Sequence, residues 1–201
     1  ELRLDGATAS VRCRLTNFRP DKTQYDAKSQ ELPALYTIGK YWRLMSYTNG
    51  DPFTGDAVSE IDTVKRGNEF IWKRIAPTEA WAALAADDGQ ALGLIIPGCL
   101  RWLGGFTGPR NVGGPKDGST GYLAPLYNEI LDHNIVYEYT YTLVLGTVDE
   151  VREKAMSLRQ APGLPAVFTS DRQRWYYERA TDQGWPIPGR LVIKLTNEQA
   201  T

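Results

Sequence analysis

Residues 134–145 alternate without a break, and no other feature constrains the fold so tightly. Ile135, Tyr137, Tyr139, Tyr141, Leu143 and Leu145 fall on one side, and Val136, Glu138, Thr140, Thr142 and Val144 on the other. Period two is the signature of a β-strand, and aromatic and β-branched residues suit a pleated surface. At ~3.3 Å per residue the stretch runs roughly 40 Å, well beyond an ordinary strand. Such a strand needs a large sheet around it, packed face to face on a second one. Its tyrosines are flat and amphipathic, suited to filling a core or to flooring a site for a ring-shaped ligand.

With 201 residues the chain reads as a single β-sandwich domain spanning residues 1–201. It opens on Glu1 in a strand-like pattern with Leu2 and Leu4, and shows no signal peptide. We therefore expect a processed or excised part of a longer protein, with another domain or chain as a possible partner. A net charge of −1 offers no general attraction to phosphate backbones or anionic lipid, so nucleic acid is not an expected partner. No stretch approaches the ~18 apolar residues of a membrane span. Cys13 alternates with Val11 and Leu15 and reads as a buried free thiol ahead of a disulfide with Cys99. One histidine and two distant cysteines give no zinc pattern, and neither a metal nor a cofactor is expected.

Turn signals divide the chain into short strands. Residues 8–16 form one, with Val11, Cys13 and Leu15 inward. Runs 32–38 and 41–48, joined at Gly39-Lys40, read as a hairpin. Asn49-Gly50-Asp51-Pro52 is turn chemistry. Residues 70–75 form a strand, 81–86 and 91–96 a second hairpin about Asp87-Asp88-Gly89-Gln90, and 100–103 a short strand. Residues 104–121 hold seven Gly and two Pro, which reads as one long loop. Residues 122–130 are of open type. Strands are also expected at 175–179 and 191–195. One helix is expected, over 148–158, where Thr147 and Glu150 form a capping box. Strands dominate and no βαβ alternation occurs. The expected class is therefore all-β, an antiparallel two-sheet β-sandwich with one short helix.

Candidate chemistry gathers around carboxylates, one histidine and aromatics. His133 is the sole histidine and stands at the mouth of the tyrosine strand beside Asp132 and near Glu129, where an acid or base can project; Asp-His-Asn is equally ordinary turn composition. Glu31, Glu79, Glu129 and Glu138 adjoin apolar runs. Paired carboxylates ~5–9 Å apart can cleave a glycosidic bond, and salt bridges are the plainer use of each. Sugar rings present apolar faces and hydroxyl rims, which Trp and Tyr with a few placed polar groups recognise. Within 113–120 the order of lysine and glycine does not match a phosphate loop. The glycine-rich loop reads as a solvated connection or as a cover whose Arg110, Asn111, Lys116 and Asp117 reach a ligand. The resulting site expectation has Glu31, Glu129 and His133 as catalytic residues. Trp42, Trp102, Arg110, Lys116, Asp117 and Trp185 bind substrate, all around one cleft.

Four phrases resemble secreted bacterial β-sandwich proteins found among carbohydrate-active enzymes, of the galactose mutarotase-like or lectin-like supersandwich class. They are Gln30-Glu31-Leu32-Pro33-Ala34-Leu35-Tyr36, Pro52-Phe53-Thr54-Gly55, Thr78-Glu79-Ala80-Trp81-Ala82-Ala83-Leu84 and Gly93-Leu94-Ile95-Ile96-Pro97-Gly98. The resemblance implies a sandwich fold and a carbohydrate ligand in an extracellular or periplasmic setting. The expected function is recognition or processing of extracellular oligosaccharide or polysaccharide, as the C-terminal part of a glycan-active enzyme; any catalysis would be that of a glycoside hydrolase or related enzyme. A non-catalytic binding module and an assembly domain with exposed aromatics are the alternatives.

Overall fold

The computed structural model describes residues 1–159, apart from 22, 24, 49–51, 115 and 132–134. The expected strands at 175–179 and 191–195 lie outside the described residues. Two antiparallel sheets pack face to face. The larger holds, in spatial order, β1 (Leu2–Asp5), β2 (Thr8–Asn17), β12 (Ile135–Gly146), β9 (Ala91–Ile95), β8 (Trp81–Ala85), β5 (Arg43–Ser46) and β6 (Ser59–Ile61). The smaller holds β3 (Lys28–Glu31), β11 (Thr120–Glu129), β10 (Trp102–Thr107) and β7 (Lys73–Ile75), with β4 (Leu35–Thr37) also paired to β11. Among the described residues there is a single helix, α1 (Val148–Arg159), which follows β12. The fold is an antiparallel two-sheet β-sandwich.

The smaller sheet packs on the larger one with β11 on β8 and β10 on β5, toward the β6 edge. Leu44, Ala82, Leu84, Leu94, Ile96, Cys99, Trp102 and Leu123 fill the space between them. Each Leu or Ile buried there stabilises the fold by ~1.5–3 kcal/mol relative to exposure. β8 is buried on both faces, because α1 covers the outer side of the larger sheet. Its sequence Trp-Ala-Ala-Leu-Ala suits that position, since small side chains let a layer approach from each side. On the helix side Trp81, Ala83, Ala85, Ala91, Ile95 and Val144 meet Val151 and Ala155. Gly93 completes the contact, as a Cβ there would fall on the Val151 side chain.

The capping box forms as the sequence requires. Glu150 N donates to Thr147 Oγ1 at 3.2 Å, and Thr147 N donates to Glu150 Oε2 at 2.6 Å. An ion pair then fixes the helix to the sheet. Glu79 accepts from Arg152 Nε (2.8 Å) and Nη2 (2.7 Å), from Trp81 Nε1 (2.9 Å) and from Phe53 N (2.8 Å). Burial pushes the Glu79 carboxyl up, but these hydrogen bonds outweigh it and hold the group below the ordinary range.

Several local expectations are corrected. Residues 32–38 and 41–48 do not make a hairpin: β4 belongs to the smaller sheet and β5 to the larger, so Gly39-Lys40 crosses between layers. Local turn chemistry reports a reversal without saying which sheet receives the second strand. The strand near 70–75 is confined to Lys73–Ile75. The strand expected at 100–103 runs on as Trp102–Thr107, and β11 begins at Thr120, so the loop is confined to 108–119. Gly104 and Gly105 are strand residues that admit Leu44 on one face and the Trp72 ring on the other. The open segment 122–130 is strand for most of its length, within β11.

The inward faces of the larger sheet divide in two. Leu84, Leu94 and Ile96 are buried, whereas Val11, Cys13, Ile135, Tyr139 and Leu143 are half-buried and Leu15 is 44% exposed. β2 and β1 stand three and four places from β8 in the larger sheet, beyond the cover of the smaller one.

Candidate functional site

The open part of the larger sheet has two unlike faces, and register assigns every residue to one of them. Tyr137 pairs with Leu15, Tyr139 with Cys13 and Tyr141 with Val11, while Leu2 pairs with Val11 and Leu4 with Ala9. These residues therefore share the inner face, the one turned toward the smaller sheet. Arg3, Asp5, Arg12, Arg14 and Glu138 occupy the alternate positions and fall on the outer face. There Glu138 pairs with Arg12 at 3.1 Å and Arg14 at 3.9 Å. No charged side chain of β1, β2 or β12 lies on the inner face.

The tyrosines make a row on that face. Ring centroids of Tyr137 and Tyr139 are 6.2 Å apart, and those of Tyr139 and Tyr141 are 6.1 Å apart with planes 21° from parallel. Each ring is half-buried. The rim comes from the smaller sheet. Glu129 ends β11, and its Oε1 accepts the Tyr137 hydroxyl at 2.9 Å. Lys28 and Gln30 of β3 are the register partners of Glu129 and Tyr127. Burial raises the Glu129 carboxyl above its ordinary range, and the Tyr137 hydrogen bond only partly offsets it. Burial also raises the phenols of Tyr127, Tyr137 and Tyr139, so all three are neutral donors and acceptors at neutral pH.

The sequence-expected site residues do not converge on one cleft. Glu31 and Glu129 both stand on strands of the smaller sheet, but on opposite faces. Glu31 pairs with Leu126, which packs on the outer face with Leu103, Tyr122, Ala124 and Trp72, whereas Glu129 touches the inner tyrosine row. Glu31 stands beside the Tyr122 phenol, in a cluster where Tyr122 is packed between Trp72 (4.7 Å) and Tyr36 (5.0 Å). Trp102 is a core residue, 1% exposed, with Nε1 donating to Cys99 O at 2.9 Å, so it cannot stack on a ligand.

Trp42 and Arg110 do meet, the guanidinium standing 4.1 Å from the indole centroid, and the buried Trp42 Nε1 has no hydrogen-bond partner. Asp117 accepts Ser119 N through Oδ1 at 3.0 Å while its buried Oδ2 has no hydrogen-bond partner, and Lys116 is exposed. This loop is tied to the sandwich end by Asn111 N to Gly39 O (2.8 Å) and Asn111 Nδ2 to Asp87 Oδ2 (2.7 Å). It lies at the Thr120 end of β11. Glu129 is at the other end, on the order of 30 Å away along the strand. The loop therefore does not cover Glu129. His133 and Trp185 lie outside the described residues.

Sequence reasoning missed the Glu129–Tyr137 contact and the packing of Tyr127 on the inter-sheet core, because both join strands of different sheets. The retrievable signal was parity: Tyr127 and Glu129 alternate in step within one strand. A groove of about 340 Å³ lies elsewhere, between α1 and the start of β2, lined by Ala7, Thr8, Val144, Leu145, Glu150, Glu153, Lys154 and Ser157. It carries no aromatic ring and is remote from the tyrosine row. Both cysteines are free thiols. Among the described residues no group of ligating side chains could hold a metal ion, and no helix is long and apolar enough to cross a membrane. The chain matches no protein-family model and no curated protein.

Proposed function

We propose that this β-sandwich recognises extracellular carbohydrate on the tyrosine row of β12, as a binding module. The observation that carries the reading is the row itself: three half-buried rings about 6 Å apart, with a carboxylate and an amide of the smaller sheet along one edge. Stacking on sugar faces uses the rings, and rim groups accept and donate to hydroxyls. Cleavage by paired carboxylates is not supported by Glu31 and Glu129, because groups on opposite faces of a sheet cannot flank one glycosidic bond. Calorimetric titration with an oligosaccharide panel tests the reading. Tyr139→Ala should weaken binding sharply while leaving the thermal unfolding midpoint near that of the parent. Equal affinity in the variant removes the row from recognition.

A second reading is favoured by one specific observation. Leu2 and Leu4 are 61% and 74% exposed on the same inner face, beside Leu15. Apolar residues gathered on an uncovered sheet face mark burial against another domain or chain. Leu4→Asp separates the readings: it should disrupt an assembly but leave sugar binding at Tyr139 unchanged.

A further inference from the structure

We infer that the tyrosine row takes a linear, uncharged oligosaccharide lying lengthwise along β12, in preference to a single terminal sugar or an anionic glycan. This rests on the carbohydrate reading above and specifies its ligand.

The shape argument starts from the strand. Side chains at alternate positions of a straight strand stand in a line, so Tyr137, Tyr139 and Tyr141 form a strip and not a cup. One sugar covers one ring and leaves the others in water, whereas a chain along the strip occupies all three. The lateral neighbours reinforce this. On the β2 side the register partners Leu15, Cys13 and Val11 rise from the same sheet surface and form no wall around a single sugar. They also offer hydroxyls no strong hydrogen-bonding partner. The polar rim of the smaller sheet, Gln30 and Glu129 with its hydrogen-bonded Tyr137 hydroxyl, stands on the opposite side, while the Tyr139 hydroxyl is turned to Cys13. A ligand that fits must present an apolar face downward and a hydroxyl edge to one side, repeatedly, which is what an unbranched chain of ring sugars does.

The charge argument is independent of the shape. All five charged residues of β1, β2 and β12 sit on the outer face, by register. The floor under the ligand is therefore formed by aromatic and aliphatic groups with one thiol and, at the Ile135 end, the Asn17 amide. On the rim Lys28 and Glu129 are register partners of opposite sign, so a carboxylate or sulfate on the ligand gains one cation only beside an anion. An anionic chain would give up hydration without a matching charge, which is unfavourable. A neutral chain loses little.

The test is a titration of the 201-residue protein with unbranched neutral oligosaccharides of one to six sugars from β-glucan, xylan and mannan. Heparin and polygalacturonate fragments of matched length form the anionic arm. Affinity for the best neutral series should rise about tenfold or more from the monosaccharide to the tetrasaccharide and then level off, with anionic chains weaker at every length. Tyr139→Ala, which removes the middle ring, should flatten that length dependence, and Tyr139→Phe should keep it. Tyr36→Ala, on the outer face of the other sheet, should bind as the parent does. A monosaccharide as tight as the tetrasaccharide, tighter anionic chains, or an equal loss in Tyr36→Ala overturns the inference while leaving carbohydrate binding intact. Failure of every neutral and anionic chain to bind overturns the carbohydrate reading itself.

Discussion

β8 and β2 belong to one sheet but live in different environments. β8 is buried on both faces, under α1 on one side and β11 on the other, and each of its residues is shielded from water. β2 alternates inward and outward, but among the described residues its inward Val11, Cys13 and Leu15 meet no second layer. β12 joins the two regimes. From Thr142 onward its outer face is buried under the helix, while Val136, Glu138 and Thr140 on that same face are exposed. Alternation therefore marks which residues share a face, but burial depends on whether another layer stands opposite. The uncovered face is where a ligand or partner can act.

The closed half should respond most strongly to substitution. Arg152→Ala leaves Glu79 buried and charged without its main partner, and should cost ~3–5 kcal/mol in a denaturant titration. A loss under 1 kcal/mol would mean that α1 is held by packing alone. Leu84→Ala should cost ~2–5 kcal/mol, against a few tenths for Leu15→Ala. Equal losses at the two sites would erase the contrast between the halves.

Acidification probes the same ion pair. The folded Glu79 carboxyl is held below its unfolded value, so its contribution is present above the unfolded pKa and lost as pH falls through the folded one. The stability difference between the parent and Glu79→Gln should therefore shrink between about pH 7 and about pH 3. A difference constant over that interval would deny the ionic part of the contact. Thr147→Ala should cost ~1 kcal/mol by removing the cap. Smallest of all, Leu4→Ser on the uncovered face should change stability by under ~0.5 kcal/mol, and a larger loss in the isolated protein would reveal a cover on that face.

Much of this was legible in the sequence. The tyrosine strand, the 81–86 and 91–96 hairpin, the capped helix and the all-β class each depend on residues close together in the chain. Period, turn chemistry and capping act over a few residues and can be read there. The sorting of Tyr137, Tyr139 and Tyr141 from Glu138 is local for the same reason. Other features join residues far apart. Which sheet received β4 and β5, and whether Glu31 and Glu129 faced one another, depended on how two layers aligned and on the face each residue presented. Glu79 found Arg152 across 73 positions, and Glu129 met Tyr137 only because two sheets stacked. The sequence by itself determined the tyrosine strand, the 81–86 and 91–96 hairpin, the helix and the faces of each. The tertiary structure alone decided which faces were covered, because burial is set by the layer opposite and not by the residues that await it.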